Sequence, residues 1–348
     1  MRDIADSPAW LPLECADSGS MRLVRLDESG YRAASFLDQR ILKSGPAEAL
    51  CPAVIVAQAA AVLSPGAHYL FHIGHVGSTL VSRLIGEWAG FFSVREPAIL
   101  RVVASDPSRT FGGLDLPAVL SLLARTWRQD QRAVIKATSF VAEIAQPILE
   151  IDRDARAIFM FTPALAYLRC ILGGPNSRVE ARSLAPSRLE RLRRRLGSEA
   201  APLEPRSEGE WIAMSWLAEM AALRTAEDRF GARVLWVDFD AFLSAPASGL
   251  ERLLQALGAA PRAGEVESLV TGPLMRRYSK APEHAYDAAL RRTVLESADR
   301  EHGAEIRRGM QWLASLAGRH PVIDEVLAQS AADDFGPIKK STAGRSPP

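Results

Sequence analysis

Short apolar runs alternate along this chain with longer segments in which apolar residues recur with helical periodicity. Buried strands are predicted at residues 69–73, 91–94, 133–135, 157–161 and 234–237. Helices are predicted at residues 78–88, 116–127, 141–150, 187–196, 211–223, 250–257, 288–298 and 305–317. Alternation of buried strands with helices is typical of an α/β protein built on a mostly parallel sheet. The sequence therefore predicts a doubly wound α/β fold.

The two ends of the chain do not follow this alternation. We expect residues 1–64 to be a flanking segment packed on the core, and residues 65–335 to form the main domain with helical additions at its C-terminal end. The weaker patterns of the flanking segment predict one strand and two helices, at residues 21–26, 31–42 and 49–63. The tail at residues 336–348 is rich in glycine, serine, proline and lysine, so it is predicted to be disordered.

The turn between the first strand and the first helix of the main domain carries two glycines and two hydroxyls. Gly74 and Gly77 let the backbone approach an anion closely, and the first N–H groups of the helix point at it. Ser78 and Thr79 are able to add hydrogen bonds to an oxyanion. The Gly-Lys-Ser/Thr of a Walker A loop is absent, which disfavours an ordinary ATPase or GTPase. The sequence predicts a phosphate-binding loop formed by Gly74, His75, Val76, Gly77, Ser78, Thr79 and Leu80.

Four polar residues come directly after predicted strands. They are His75, Glu96, Lys136 and Thr162. Ligands of doubly wound sheets bind at the carboxyl ends of the strands, where these residues fall. The pattern therefore predicts one shared site that contains all four.

The composition is that of an ordinary globular protein, with 48% hydrophobic and 24% charged residues in a chain of 348. A net charge of +1 does not indicate a nucleic-acid-binding surface. Three scattered cysteines and six histidines show no metal-ligand spacing, so no metal is expected. The N-terminus is polar, and the apolar run at residues 53–63 is too short to span a bilayer. We expect a cytoplasmic protein without nucleic-acid or membrane partners.

The stretch at residues 69–83 resembles the 5′-phosphosulfate loop of the sulfotransferase family. Its Gly77-Ser78-Thr79 matches the Gly-Thr/Ser-Thr core of that loop. The segment Arg95-Glu96-Pro97 is similar to the Glu-bearing segment of carbohydrate and tyrosyl-protein sulfotransferases, and residues 237–258 resemble the family's C-terminal segment. The resemblance implies a sheet of the P-loop nucleoside triphosphate hydrolase type. It also implies sulfuryl transfer from 3′-phosphoadenosine 5′-phosphosulfate to a hydroxyl or amine of a small-molecule or peptide acceptor.

The resemblance also assigns roles to three residues. His75 stands where the family usually has Lys or Arg, so it would stabilise the leaving group, and Lys136 is a candidate to share this task. Glu96 would be the base that takes the acceptor's proton. Structural alternatives remain open at this point. Glu96 is also compatible with an ion pair with Arg95 or Arg101, or with a helix N-terminus before Pro97, and Lys136 with a solvent-facing end of a strand.

The chain departs from the family at the site for the donor's 3′-phosphate. Phe161 and Arg169 occupy the positions of the family's Arg and Ser, and Arg169 is a candidate for the lost cation. The C-terminal Gly-x-x-Gly-x-x-Lys element is also absent. Arg276, Arg277 and Lys280 are candidates to replace its charge.

Two alternative functions follow from these departures. A phosphotransferase would need magnesium-binding carboxylates, for which Asp238 and Asp240 are the candidate pair. A non-catalytic relative that binds an anion would not need the missing 3′-phosphate residues. Binding of adenosine 3′,5′-bisphosphate would indicate the sulfotransferase, and magnesium-dependent binding of a nucleoside triphosphate would indicate the phosphotransferase. A folded protein that binds no nucleotide would favour the non-catalytic relative.

Residues 187–196 form an amphipathic pattern with leucines on one face. Its other face carries Arg188, Arg191, Arg194 and Arg195. A face of this kind is usually solvated, and the alternative is a position over an anionic donor or substrate.

Overall fold

The computed structural model describes residues 2–16, 19–106, 110–197, 204–262, 264–277 and 288–331. Lys280 and the tail at 336–348 lie outside the described residues. Within them the chain forms eight strands: β1 (Trp10–Cys15), β2 (Ser20–Arg25), β3 (Glu48–Pro52), β4 (His68–His72), β5 (Phe91–Arg95), β6 (Arg132–Lys136), β7 (Ala157–Phe161) and β8 (Val234–Asp238).

The helices of the described residues are α1 (Arg2–Asp6), α2 (Glu28–Ala33), α3 (Ala53–Ala60), α4 (Ser78–Gly86), α5 (Ala98–Ser105), α6 (Leu116–Leu123), α7 (Ala145–Ile151), α8 (Ala164–Leu172), α9 (Pro175–Leu196), α10 (Glu208–Phe230), α11 (Phe239–Ser244), α12 (Pro246–Ala256), α13 (Glu265–Val270), α14 (Ala288–Ser315) and α15 (Pro321–Ala331). Four 3₁₀ helices lie at Gln39–Ser44, Ser139–Ile144, Gly231–Arg233 and Pro273–Arg276. None of the helices described is both long enough and apolar enough to span a membrane.

The main sheet has five strands in the order β5-β6-β4-β7-β8, and every neighbouring pair is parallel. Strands β4, β5 and β7 are buried along their whole length. After β4 the chain adds β5 and β6 on one side of this strand within the sheet. It then crosses over β4 and adds β7 and β8 on the other side. The predicted doubly wound α/β fold is confirmed. Such a change of direction opens a crevice beside the carboxyl end of the central strand β4.

The helix predicted at residues 31–42 is wrong, because residues 34–38 are not helical and separate α2 from the following 3₁₀ helix. Asp38 caps that 3₁₀ helix by accepting the N–H of Arg40 at 3.0 Å. The interruption lets Leu37 donate to the Arg95 carbonyl at 2.8 Å and accept from the Ala98 N–H at 2.9 Å. A contact with the end of β5, which is distant in sequence, therefore overrides the local helical pattern.

Two further local predictions are corrected. The first residues of the helix predicted at 49–63 form β3, because they pair with β2 in a small antiparallel sheet of order β1-β2-β3. The helix predicted at 187–196 is longer than expected, because α9 already begins at Pro175. Proline is favoured in the first turn of a helix, where its missing N–H costs nothing.

Two buried arginines attach the flanking segment to the main sheet. Arg95 donates to the carbonyl oxygens of Tyr31, Arg32 and Ala34. Arg125 donates to those of Ile4, Ser7 and Trp10. Burial lowers the pKa of Arg95 to about 9 and that of Arg125 to about 10. Because these carbonyls hold Arg95, the residue that follows it at the end of β5 has a fixed position.

The arginine face of α9 is not solvated as a whole. Arg188 and Arg191 are buried, and both donate to Oε1 of the buried Glu219 on α10, at 2.8 and 3.1 Å. Arg194 is exposed, as expected of a solvated face. Periodicity could not reveal the inward turn of two arginines, because the carboxylate that pairs with them lies on another helix.

Candidate active site

The carboxyl ends of four parallel strands bring the predicted site residues to one edge of the sheet. Strands β5, β6, β4 and β7 lie side by side, and the segments that follow them begin with Glu96, Ala137, Ile73 and Thr162. The N–H of Glu96 donates to the carbonyl of Lys136, the last residue of β6, at 2.7 Å. The phosphate-binding loop follows β4 in the middle of this edge.

Glu96 and Lys136 form a buried ion pair. The Lys136 ammonium contacts Glu96 Oε1, and the lysine side chain is 0% exposed. Lys136 therefore does not face solvent, and the partner of Glu96 is this lysine, since Arg95 donates to the flanking segment instead. The ring centroid of Phe36 lies 6.0 Å from Lys136 Nζ, so the flanking segment also lines the pair. Removing either charge would leave the other buried alone, which is strongly unfavourable.

His72 belongs to this group, although the sequence patterns did not identify it. Its Nδ1 accepts the Gly74 N–H at 3.0 Å, and its Nε2 lies 3.9 Å from Glu96 Oε1. The imidazole is buried at the last position of β4. Its place as the residue that ends the central strand, just before the loop, is the sequence signal that could have found it.

The backbone is strained at two of the predicted site residues. Among the described residues, His75 and Glu96 are the non-glycine residues with positive φ, at 56° and 49°. A non-glycine residue in this region costs about 1–3 kcal/mol and persists only where its surroundings hold it. Gly74 and Gly77 reach φ values of 88° and 60° without that cost. The strain is therefore concentrated at the ends of β4 and β5, where the site residues lie.

The N-terminus of α4 has features that suit an anion. Its N-cap is Gly77, which provides no side-chain cap, and the first N–H groups of a helix have no acceptor within it. Thr79 is 1% exposed, and its Oγ1 has no hydrogen-bond partner among the described residues. A buried hydroxyl without a partner is unfavourable unless a ligand or water satisfies it. The loop therefore has the features of an oxyanion site.

Gly77 is also required for packing. A Cβ at this position would lie 2.0 Å from the ring of Phe239, which follows β8. Arg291 of α14 also packs on this ring, with its guanidinium carbon 5.0 Å from the ring centre. A Cβ at Gly74 would meet only Ser139, at 3.7 Å. A side chain at Gly77 would therefore clash with Phe239, whereas one at Gly74 would make only an ordinary contact.

His75 points toward α9. Its Nδ1 is 3.4 Å from Ser177 Oγ, and its Nε2 is 3.5 Å from Glu180 Oε2. The imidazole is 19% exposed, so it is the more accessible of the two histidines of the site. Ser177 and Glu180 of α9 therefore orient the ring.

No protein-family model matches this chain, and no curated protein matches it. The solved structures similar to it include three sulfotransferases. The sulfotransferase domain from the curacin biosynthetic pathway shows 15% identity and a TM-score of 0.42, with 72% of this chain and 98% of that chain covered. Mouse sulfotransferase SULT7A1 complexed with PAP shows 12% identity and a TM-score of 0.42, covering 78% and 92%. The sulfotransferase from Alicyclobacillus acidocaldarius shows 16% identity and a TM-score of 0.36, covering 69% and 98%.

The residues at the family's 3′-phosphate positions have other partners in this chain. Phe161 packs edge-on against Trp236, with the ring centroids 5.6 Å apart. Arg169 of α8 forms a two-point ion pair with Asp299 of α14, at 2.8 Å from Nε to Oδ1 and 2.7 Å from Nη2 to Oδ2. Arg276 and Arg277 are exposed. The cation expected from Arg169 is thus engaged by a carboxylate.

The two aspartates considered for magnesium are also engaged. Asp238 caps α11 by accepting the Asp240 N–H at 2.8 Å. Asp240 accepts from Arg291 Nε and from the hydroxyl of Thr162, both at 2.6 Å. Within the described ranges, no group of three or more His, Cys, Asp or Glu side chains is arranged to hold a metal ion. The pair therefore gives no support to the phosphotransferase alternative.

Proposed function

We propose that this protein transfers a sulfuryl group from a phosphoadenosine phosphosulfate-type donor to a hydroxyl or amine of a small-molecule or peptide acceptor in the cytoplasm. One observation carries the proposal. The two strained non-glycine residues of the described chain, His75 and Glu96, are the residues to which the resemblance assigns chemistry. Strain that persists just after two strands of one sheet is typical of functional sites.

Sulfuryl transfer, like phosphoryl transfer, requires mainly positioning and stabilisation of charge on the leaving group. The loop from Gly74 to Leu80 would bind the donor's anionic end through the N-terminus of α4. The hydroxyls of Ser78 and Thr79 would add hydrogen bonds, and Thr79 Oγ1 would gain the partner it lacks. His75, held beside Glu180, would supply positive charge at the leaving group when its imidazole is protonated.

Glu96 would accept the proton of the acceptor's hydroxyl or amine. Lys136 and His72 both approach its Oε1, at contact distance and at 3.9 Å. Oε2 is then the oxygen left to take the proton. Lys136 would hold Glu96 in place through the buried ion pair, so its role is to position the base.

The donor's 3′-phosphate is assigned to Arg169 within this proposal. The phosphate would have to replace Asp299, which now binds both ends of the guanidinium fork. Adenosine 3′,5′-bisphosphate should therefore bind more tightly than adenosine 5′-phosphate, and the difference should shrink in Arg169→Met. Equal affinities of the two nucleotides for the unaltered protein would exclude a 3′-phosphate site.

Calorimetry and thermal unfolding with adenosine 3′,5′-bisphosphate, and separately with ATP and magnesium, test the proposal. The bisphosphate at about a hundred times its dissociation constant should raise the free energy of unfolding by about 2.7 kcal/mol. Stabilisation by ATP only in the presence of magnesium would favour a phosphotransferase and contradict the proposal.

The engagement of Arg169 by Asp299 favours one second candidate, a non-catalytic protein that binds an anion at the same loop. Such a protein would bind inorganic sulfate or phosphate as well as it binds the bisphosphate. It would also leave the sulfuryl group of 3′-phosphoadenosine 5′-phosphosulfate intact in the presence of phenols, alcohols and amines.

A further inference from the structure

We propose that His72 is a positioning residue that links the shape of the phosphate-binding loop to the orientation of Glu96. The inference deepens the proposed function and rests on it for the role of Glu96. It starts from the two nitrogens of one buried ring. Nδ1 accepts the N–H of Gly74 at 3.0 Å, and Nε2 lies 3.9 Å from Glu96 Oε1.

The hydrogen bond from Gly74 determines which nitrogen carries the proton. A ring nitrogen that accepts an N–H cannot itself be protonated, so Nδ1 is bare. The proton of the neutral imidazole is then on Nε2, the atom that faces the carboxylate. His72 is therefore a donor toward Glu96. It is not a second base, because one nitrogen is occupied and the other is already protonated.

The two cationic or donor groups near Glu96 approach the same carboxylate oxygen. Lys136 contacts Oε1, and Nε2 of His72 lies on the Oε1 side as well. Lys136 binds Oε1, whereas Nε2 of His72 at 3.9 Å is farther from it than a hydrogen bond allows, so a shortening of this distance when a ligand binds would fix the direction of the second oxygen. Contacts of this kind are often long before a ligand binds and shorten in the complex.

The other nitrogen of His72 holds the loop. Gly74 has a φ of 88°, and its amide is directed back to the ring that ends β4. His75 follows it in the same left-handed region, at 56°. A shift of the loop caused by an anion would therefore move the Gly74 amide, the imidazole and the donor that faces Glu96 together. His72 thus connects the donor side of the site with the base.

His68, four residues earlier in β4, provides a matched control. It is also buried, and its Nδ1 accepts a backbone N–H, from Arg156 at 3.1 Å. Its ring also hydrogen-bonds to the backbone of Leu257 and packs edge-on against Phe91, with the ring centroids 6.2 Å apart, and Glu96 follows the opposite end of the sheet's strands. A replacement at His68 tests the loss of a buried histidine without touching the link.

Two substitutions separate the two nitrogens of His72. His72→Asn keeps an acceptor near Nδ1 and removes the donor near Nε2. His72→Gln places an amide near Nε2 and removes the acceptor for Gly74. We expect His72→Asn to bind adenosine 3′,5′-bisphosphate normally and to shift the carbon-13 resonance of the Glu96 carboxylate, with single-turnover transfer slowed about 10-fold or more. We expect His72→Gln to lose affinity about 5- to 10-fold and to leave that resonance close to its original position.

Nitrogen-15 spectra of the full chain test the tautomer directly, with a bare Nδ1 and a protonated Nε2 as the expected result. A proton on Nδ1, or a Glu96 resonance that moves as much in His68→Asn as in His72→Asn, would overturn the proposal. If the tautomer and the resonances behave as expected but the unaltered protein does not bind the bisphosphate, the link stands and the sulfuryl-transfer function is wrong.

Discussion

The central strand β4 begins and ends on a buried histidine, and the two ends of the strand differ in how completely their polar groups are matched. At the amino end, His68 bonds to backbone groups of Arg156 and Leu257. Asp152 lies close by and accepts the N–H of Ala67 at 2.9 Å. The side chains of His68 and Asp152 therefore have their hydrogen-bond partners within the fold.

The carboxyl end of the same strand leaves polar groups unsatisfied and the backbone strained. Thr79 Oγ1 and Thr138 Oγ1 have no hydrogen-bond partner among the residues described. His75 and Glu96 have positive φ, and a buried ion pair lies beside His72. A parallel sheet presents loops and the N-terminus of the next helix at this end, so backbone donors point outward there. The comparison teaches that equal burial of two histidines does not imply equal roles.

The largest expected difference between the ends concerns Glu96. In Glu96→Gln we expect single-turnover sulfuryl transfer to fall by about 10² to 10⁴, the usual contribution of a general base, while bisphosphate affinity stays close to normal. The variant should also lose stability, by about 3–5 kcal/mol, because Lys136 would be buried without its counter-charge. Chemical denaturation and single-turnover kinetics measure the two effects.

The double variant Glu96→Gln/Lys136→Met separates chemistry from stability. Removing both charges should restore much of the lost stability, since no buried charge remains alone. Turnover should stay low, because the proton acceptor is still missing. Recovery of the rate together with the stability would show that Glu96 has only a structural role.

The sheet, and the placement of the candidate residues at one edge of it, could be predicted because both depend on local signals. Strand β7 follows from a continuous apolar run, and Glu96 and His75 follow from their places just after strands. The part that could not be predicted depends on contacts between residues far apart in the sequence. From the sequence, Lys136 could equally face solvent, because the apolar run before it does not indicate that it pairs with the Glu96 carboxylate.

The roles of glycine show the same limit. The turn pattern predicts that Gly74 and Gly77 both admit an anion, which is a local property of the loop. Phe239 is distant from Gly77 in the sequence, but its ring lies against this glycine. Gly77 is therefore required for packing as well. No periodicity within the loop distinguishes the two glycines, so only the tertiary structure separates them.

The next largest effect is expected from this pair of glycines. Gly77→Ala would place a Cβ in the ring of Phe239 at a φ of 60°, so we expect a loss of about 2–5 kcal/mol in the free energy of unfolding from overpacking and backbone strain. Gly74→Ala adds only the strain, about 1–2 kcal/mol. Denaturant unfolding of both variants measures the difference. Equal losses would mean that Phe239 does not fix the loop, and Phe239→Leu should relieve part of the Gly77→Ala loss.

At Thr79 we expect two smaller effects of opposite direction, a gain in stability and a loss of affinity. Thr79→Val keeps the shape of the side chain and removes the buried hydroxyl, which has no partner among the described residues. The protein without ligand should gain about 1–3 kcal/mol of stability, and affinity for the bisphosphate should fall about 5- to 10-fold. Thermal unfolding and calorimetry check the two signs. In the control Thr138→Val, stability should rise while affinity changes less, because Thr138 follows β6 and is not part of α4. A loss of stability in Thr79→Val would mean that the hydroxyl has a partner in the absence of ligand.

The smallest effect is expected at the amino end of β4 and appears only as a pH dependence. Burial, with a further contribution from the charge of Arg132, lowers the pKa of His68 to about 3. In the unfolded chain the imidazole titrates near its ordinary value of about 6.5. Below that pH the unfolded state binds a proton that the folded state does not bind. The stability contributed by the neutral ring is therefore complete above about pH 6.5 and is lost as the pH falls toward 3, at up to about 1.4 kcal/mol per pH unit.

His68→Asn tests this dependence and the comparison together. Asparagine keeps an acceptor for the Arg156 N–H and does not titrate, so the stability of the unaltered protein should fall relative to the variant between pH 6.5 and 5. Urea unfolding of both proteins at several pH values measures the difference. Because the two proteins contain the same carboxylates, the contribution of these groups to the pH dependence cancels. Bisphosphate affinity and turnover at neutral pH should be the same in both, because His68 lies at the amino end of the strand. Parallel stability curves would contradict the lowered pKa. Weakened binding in His68→Asn would mean that the two ends of β4 do not have separate roles.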